Sequence, residues 1–210
     1  MGRCLAKLLH KENADFRTDL QLEATVDVYS GRDLVYVAAT GSGKTVVYRI
    51  PNSMHHGVTV VICPFVALKN ELQGDDVCTR FVINMSIHTI KKVLLVSIEQ
   101  VQYCLTIINQ LALESRLIGI VFDEIHVMLH DTFRAIIFER INWRSMLPAV
   151  PFLFLSATLP PGYKTMIDDA FACPSRPINI IRETRYSSSG VTSQIHDNRG
   201  KTRKYTKIGL

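Results

Sequence analysis

The stretch with the most specific chemistry is Ala38-Ala39-Thr40-Gly41-Ser42-Gly43-Lys44-Thr45. Gly41 and Gly43 carry no Cβ, so the backbone there can curl and turn its N–H groups onto one anion. Lys44 brings a cation for β- and γ-phosphate oxygens, and the Thr45 hydroxyl is a ligand type suited to Mg²⁺. Thr40 and Ser42 complete the candidate phosphate loop. A second set, Asp123-Glu124-Ile125-His126, sets two carboxylates side by side. At the end of a buried strand that is costly unless a cation or donors meet them. Asp123 is placed to hold Mg²⁺, directly or through water, opposite Thr45. Glu124 is placed to orient or deprotonate an attacking water. A lysine cradle, a metal and a positioned water are the parts that phosphoryl transfer needs. Each stretch has a plainer reading alone: a flexible Ser/Gly loop before a helix, and a strand end with solvated acids. Their pairing argues against both. His126 by itself reads as a core or surface histidine, or as a link from this site to Ser156 and Thr158.

These residues need elements to position them. Apolar runs at 34–37, 58–63, 93–96, 117–122 and 152–155 read as buried strands. Helical patterns stand between most of them, which predicts an α/β fold with a parallel sheet covered by helices on both faces. Ligands on such sheets bind at the carboxyl ends of the strands. Every polar cluster lies at such an end: Thr40–Thr45, Pro64, Ser97–Glu99, Asp123–His126 and Ser156–Thr158. The phosphate loop and the acidic pair are expected on adjoining strand ends, facing each other across a nucleotide-sized gap. A helix is expected up to Ser30, with Gly31 as its stop. Pro51 is expected to end or kink the helix after the phosphate loop. Further helices are expected over 67–72, from a Ser97 cap to about Arg116, over 131–146, and from Pro160-Pro161-Gly162 to about Ala172. Residues 73–92 carry no clear pattern beyond a turn at Gln73–Asp76. The pattern fades from Ile181.

A chain of 210 residues that is 47% hydrophobic can bury one good core, a single domain with a little to spare. The net charge of +5 is compatible with a polyanionic partner without requiring one. Five cysteines with no C-x₂-C pair argue against zinc and against a disulfide framework. No run of 18 apolar residues predicts a membrane span. The charged N-terminal stretch lacks a signal-peptide core. These features fit an intracellular, reducing compartment. Arg199, Lys201, Arg203, Lys204 and Lys207 read as a basic tail, either disordered and able to bind phosphates or simply a solvated terminus.

Ala-x-x-Gly-x-Gly-Lys-Thr, Asp-Glu-x-His and Ser-Ala-Thr, in this order, resemble motifs I, II and III of superfamily 2 helicases. In that family Ala commonly opens motif I, as Ala38 does here. The likeness is nearest to RecQ-type DNA helicases of the divergent fungal kind. Phe16-Arg17 with Gln21, then Ser30-Gly31-Arg32-Asp33, resembles the RecQ adenine-reading segment, which implies that Gln21 contacts the adenine edge. The spacing from Phe16 to Gln21 is one residue longer than the family's. Cys63-Pro64-Phe65-Val66-Ala67-Leu68 resembles motif Ia and Val96-Ser97-Ile98-Glu99 motif Ib, implying strand contacts by Pro64, Phe65, Ser97 and Glu99. His130-Asp131-Thr132-Phe133-Arg134 lies where RecQ proteins carry an aromatic loop, shorter here and without its Trp. Phe133 and Arg134 then stack on or pair with single-stranded DNA, or Phe133 is core.

The resemblance implies a P-loop NTPase fold, a RecA-like lobe over residues 14–183 between an extension at 1–13 and the tail at 184–210. It implies ATP and Mg²⁺ as cofactors and DNA as partner, a second RecA-like lobe in trans, and a nuclear location, with no membrane and no zinc. The family's second lobe, its arginine finger and its zinc-binding domain have no counterpart in these 210 residues, so slow hydrolysis and no unwinding are expected of the chain alone. Two other readings stand beside this one: a nucleic-acid-binding module without turnover, and a lobe of a DEAD- or DEAH-type RNA helicase.

Overall fold

The computed structural model describes residues 15–64, 76–129, 135–184, 192–196 and 202–206. Helix α1 (Asp19–Tyr29) leads into β1 (Leu34–Val37), and α2 (Val46–Met54) follows the glycine-rich loop. Then come β2 (Val58–Cys63), a short β3 (Cys78–Arg80), β4 (Val93–Ser97), α3 (Val101–Leu113) and β5 (Leu117–Phe122). The turn α4 (Ile125–Met128) and the short α5 (Trp143–Met146) precede β6 (Phe152–Ser156), α6 (Tyr163–Phe171) and β7 (Asn179–Thr184). Strands β8 (Thr192–His196) and β9 (Thr202–Thr206) close the list.

The strands form one sheet in the order β3-β4-β2-β5-β6-β1-β7-β8-β9. The pairs from β3 to β7 are parallel and the last two antiparallel. Side chains alternate across each strand, so each strand feeds two cores. Val35, Ile62, Val96 and Phe122 pack on one face with Ile108 of α3 and Phe171 of α6. Leu34, Tyr36, Val61 and Leu95 pack on the other with Leu20 and Ala24 of α1 and Val47 of α2. Phe122 centres an aromatic cluster, stacked 5.2 Å from Phe154 and edge-on to Trp143 and Phe171 at 5.3 and 5.1 Å. This is the three-layer parallel-sheet architecture expected from the continuous apolar runs.

Asp33 pins the amino end of the sheet. Its side chain is fully buried, and its carboxylate accepts from the Phe152 amide at 2.7 Å, Arg144 Nη2 at 2.5 Å and Arg176 Nε and Nη2 at 3.1 Å. Arg144 also lies over the Phe152 ring at 4.3 Å. A buried carboxylate is tolerated only when paired and bonded in this way, and removing one partner of such a set costs roughly 3–5 kcal/mol.

Several expectations need correction. Pro51 is buried and neither ends nor sets the limit of α2, which runs on to Met54. The packing of this helix on the sheet outweighs the one helical bond that proline cannot donate. Ser97 does not cap a helix through its side chain. It precedes a 3₁₀ turn, Ile98–Gln100, and its hydroxyl donates to Gln100 Oε1 at 3.2 Å. The expected helix over 131–146 is a π-helical turn, Ala135–Glu139, and then α5, whose start is capped by the Asn142 side chain; its first residues lie outside the described ones. Strand β3 lies in the stretch that showed no pattern, and its residues are only partly buried, so no apolar run marks it. Strand β7 carries Arg182 and Glu183, which masked it as a fading pattern. The sheet does not stop at 183, because β8 and β9 add to its edge. Both strands lie within the stretch read as a basic tail.

Candidate active site

The loop after β1 and the turn after β5 meet over the carboxyl ends of the strands. Gly41 and Gly43 both have positive φ, +75° and +86°. At Gly43 a Cβ would also come within 3.0 Å of Gln21 Nε2. Thr45 stands at the amino end of α2, and its side chain makes no capping hydrogen bond. The buried Lys44 ammonium folds back over the loop and donates to the Ala38 carbonyl at 3.2 Å, with Glu124 Oε1 at 3.9 Å. The two motifs therefore face each other. They do not stand on adjoining strands: β6 lies between β1 and β5. The lysine spans that extra strand, and β6 contributes Ser156 to the gap it crosses.

Asp123 follows β5, with its amide donating to the Ile62 carbonyl at 2.8 Å. Its carboxylate accepts the Glu124 amide at 2.9 Å. Burial first, then the neighbouring Glu124 charge, lift its pKa from 3.8 to about 6, against the pull of that amide and of Lys44. Glu124 adopts a left-handed backbone, φ +53°, which costs a non-glycine residue about 1 kcal/mol or more and is a mark of functional turns. Its Oε2 lies 3.3 Å from His126 Nδ1 in a geometry too poor for a hydrogen bond. Among the described residues, the buried side-chain atoms that make no hydrogen bond are Ser42 Oγ and Glu124 Oε2. Both belong to this site, and leaving such groups unsatisfied costs about 1–3 kcal/mol each.

His126 Nδ1 lies 2.9 Å from Ser156 Oγ. The Ser156 hydroxyl donates to the Thr158 carbonyl and accepts the Thr158 amide at 3.3 Å. Ser156 thus joins the His126 ring to the backbone at Thr158. The imidazole and the turn after β6 are hydrogen-bonded to each other, with the Glu124 carboxylate beside them.

Gln21 is buried beside the loop. Its Nε2 donates to the Ser42 and Gly43 carbonyls at 3.2 and 3.0 Å, and its Oε1 accepts the Arg17 amide at 3.0 Å. Arg17 in turn donates to the Gly41 carbonyl. The amide that the sequence assigned to adenine also props the phosphate loop. These contacts use one of the two Oε1 lone pairs. The support behind Gln21 was not read from the sequence. Thr18 caps α1 by accepting the Gln21 amide at 3.0 Å, and Glu183 of β7 accepts from the Thr18 hydroxyl and from Tyr36 Oη at 2.6 Å. A Thr directly before an acidic first turn was the available signal for Thr18; nothing pointed to Glu183.

Thr40 is exposed at the rim of the loop. Pro64 and Ser97 end the neighbouring strands β2 and β4, where Cys63 and Ser97 are register partners. Ser97 is buried and Glu99 is exposed on the turn beyond it. Phe65, Phe133 and Arg134 lie outside the described residues, as does the expected helix at 67–72.

The raised pKa of Asp123 makes a prediction about the chain without nucleotide. Between pH 3.8 and about 6 the folded state holds the Asp123 proton more tightly than the unfolded state. This contribution to stability is therefore full at low pH and lost as pH rises through 6. Asp123→Asn is expected to raise the unfolding free energy by about 2–3 kcal/mol near neutral pH, and by about half as much near pH 5. Urea denaturation at the two pH values measures it; an equal or opposite effect contradicts the burial of the charge.

Residues 18–166 match the DEAD/DEAH box helicase family. Over 164 residues the chain is 27% identical to the ATP-dependent helicase SGS1 of Saccharomyces cerevisiae, a match covering 66% of this chain and 11% of that protein. Over 54 residues it is 41% identical to the ATP-dependent DNA helicase Q5 of Mus musculus, covering 25% of this chain and 6% of that protein. Similar solved structures include the DUF1998 helicase MrfA bound to DNA and AMPPNP, with a TM-score of 0.64 and 18% identity over 91% of this chain and 30% of that one. A hypothetical ATP-dependent RNA helicase from Sulfolobus tokodaii gives 0.60 and 17% over 86% of this chain and 57% of that one. At such identities the structural likeness speaks for the fold. The matches span small parts of the two curated relatives. Among the described residues no helix is long and apolar enough to cross a membrane.

Proposed function

The chain belongs to the DEAD/DEAH box helicase family, and from that premise we propose that it is the ATP-binding motor lobe of a RecQ-like 3′–5′ DNA helicase. The observation that carries the nucleotide reading is the pair of buried polar atoms without a hydrogen bond, Ser42 Oγ in the glycine-rich loop and Glu124 Oε2 on the residue that faces Lys44. An anion-bearing ligand with a bound cation and water satisfies both. The amides of Gly41 to Thr45, at the positive end of α2, hold the phosphates. Lys44 exchanges its bond to the Ala38 carbonyl for phosphate oxygens. Gln21 accepts from the adenine amine through Oε1 while keeping the loop in shape. The donor set fits Mg²⁺: Thr45 and Asp123 supply the hard oxygens it prefers. When bound, Mg²⁺ would supply positive charge against the phosphates. Glu124 takes the proton of the attacking water, and His126, hydrogen-bonded to Ser156, passes the change in charge to the turn at Thr158. Pro64, Phe65, Ser97, Glu99, Phe133 and Arg134 are assigned to contacts with the DNA strand.

We place this chain in the nucleus, with a second RecA-like lobe completing the site in the working motor; alone, these residues hydrolyse ATP slowly. ATP turnover measured with single-stranded DNA or RNA of equal length tests the substrate. DNA is expected to stimulate hydrolysis and RNA much less. Stimulation by RNA alone favours the RNA-helicase reading. No stimulation by either, with ATP binding intact, favours a binding module.

A further inference from the structure

At the end of the sheet opposite the phosphate loop lies a cavity of about 630 Å³. It is lined by His56, Asp76, Lys91, Lys92 and Arg116 over an apolar floor that includes Val58 and Ile90. The topology explains why these side chains converge. Lys92 directly precedes β4, Arg116 directly precedes β5, and His56 stands two residues before β2. These three parallel strands are neighbours in the order β4-β2-β5, spaced by about 4.8 Å. Their approach segments therefore bring three nitrogen-bearing side chains into a space about 10 Å across.

The packing there is unusually tight. Gly57 has φ +148°, and a Cβ on it would lie 2.4 Å from the Arg116 carbonyl oxygen. Only glycine lets β2 begin so close to β5, where the pairing register shifts at Val58 and Thr59. The Val58 amide bonds the Arg116 carbonyl at 2.7 Å and the Thr59 amide bonds the Lys92 carbonyl at 2.9 Å. Arg116 is held by Glu114 at 3.3 Å and reaches the Ile87 carbonyl at 3.5 Å. Lys92 gives one of its three donors to the His55 carbonyl at 2.7 Å. Lys91, Lys92 and Arg116 are set against one lining carboxylate, Asp76, and the Glu114 carboxylate that pairs with Arg116 from outside the lining.

We propose that this cavity is a second anion site that takes a compact phosphate-bearing molecule. Ammonium and guanidinium groups held on a rigid frame recognise phosphate through charge-assisted hydrogen bonds. The volume falls in the range of small-molecule sites. The concave shape, bounded by three strand starts, suits a compact anion better than an extended strand, which needs a continuous track. The site stands apart from the nucleotide site and does not depend on that reading.

Inorganic pyrophosphate titrated into the ¹⁵N-labelled full chain, with shifts mapped residue by residue, tests it. Saturable shifts at Gly57, Val58, Lys92 and Ser115 are expected, in addition to any at residues 41–45. Lys91→Gln combined with Arg116→Gln is expected to weaken that phase by about tenfold or more and to leave the phase at 41–45 unchanged. Lys91→Gln alone, at an exposed residue tied to Thr79 through its backbone amide, keeps the test open if the double variant fails to fold; it is expected to weaken binding by about threefold. Shifts confined to 41–45, a drift that never saturates, or a response to a single-stranded oligonucleotide but not to pyrophosphate each overturn the proposal.

Discussion

Lys44→Ala is expected to lower ATP affinity by at least about a hundredfold, which in a direct binding titration amounts to loss of binding. The ammonium is buried, sits over the loop on the Ala38 carbonyl and lies 3.9 Å from Glu124. It is the loop's own cation, and two charge-assisted contacts to phosphate are worth roughly 3 kcal/mol or more together. The substitution also leaves Asp123 and Glu124 facing each other without a nearby positive charge. The Asp123 carboxyl, already lifted to about 6, then rises further, because Lys44 is one of the groups that hold it down. The fold persists, since α2 packs through Val47 and Tyr48 rather than through Lys44. Unchanged ATP affinity in a folded variant refutes the assignment of this loop.

Glu124→Gln separates binding from turnover. Glutamine keeps the size of the side chain and loses the ability to take a proton. General-base catalysis by a positioned carboxylate contributes about 10²–10⁴-fold, so single-turnover hydrolysis is expected to fall by about a hundredfold or more. Nucleotide affinity should hold within a few-fold, because loss of the weak Lys44 ion pair is offset by relief of the repulsion with Asp123. Radiolabelled ATP in single-turnover mode, with or without DNA, gives the rate; a separate equilibrium titration gives the affinity. A variant that hydrolyses at the parent rate shows that Glu124 is not the base.

Much of this was legible in the residues. The runs at 34–37, 58–63, 117–122 and 152–155 are apolar on both faces because the strands are buried on both faces, and such runs leave little ambiguity. The glycine-rich loop and the acidic turn stood out because the chemistry proposed for them needs particular residues in consecutive positions. What stayed hidden depends on distant contacts. Asp33 looks like part of a turn until Arg144 and Arg176 close on it from more than a hundred residues away. Glu183 looks like the end of the pattern until Tyr36 and Thr18 are seen to share it. The place of β6 between the two motifs could not be read either, because local sequence carries no strand order. Pro51 shows the reverse case, a strong local signal overruled by packing.

The central claim is that the Lys44 loop and the Asp123-Glu124 turn hold one magnesium-bound triphosphate between them. A crystal structure of the chain with Mg²⁺ and a non-hydrolysable ATP analogue tests it most directly. The account predicts phosphates on the amides of Gly41 to Thr45, the metal between Thr45 and Asp123, and the terminal phosphate between Lys44 and Glu124. A nucleotide bound elsewhere on the molecule, or a metal held without Thr45 and Asp123, contradicts it.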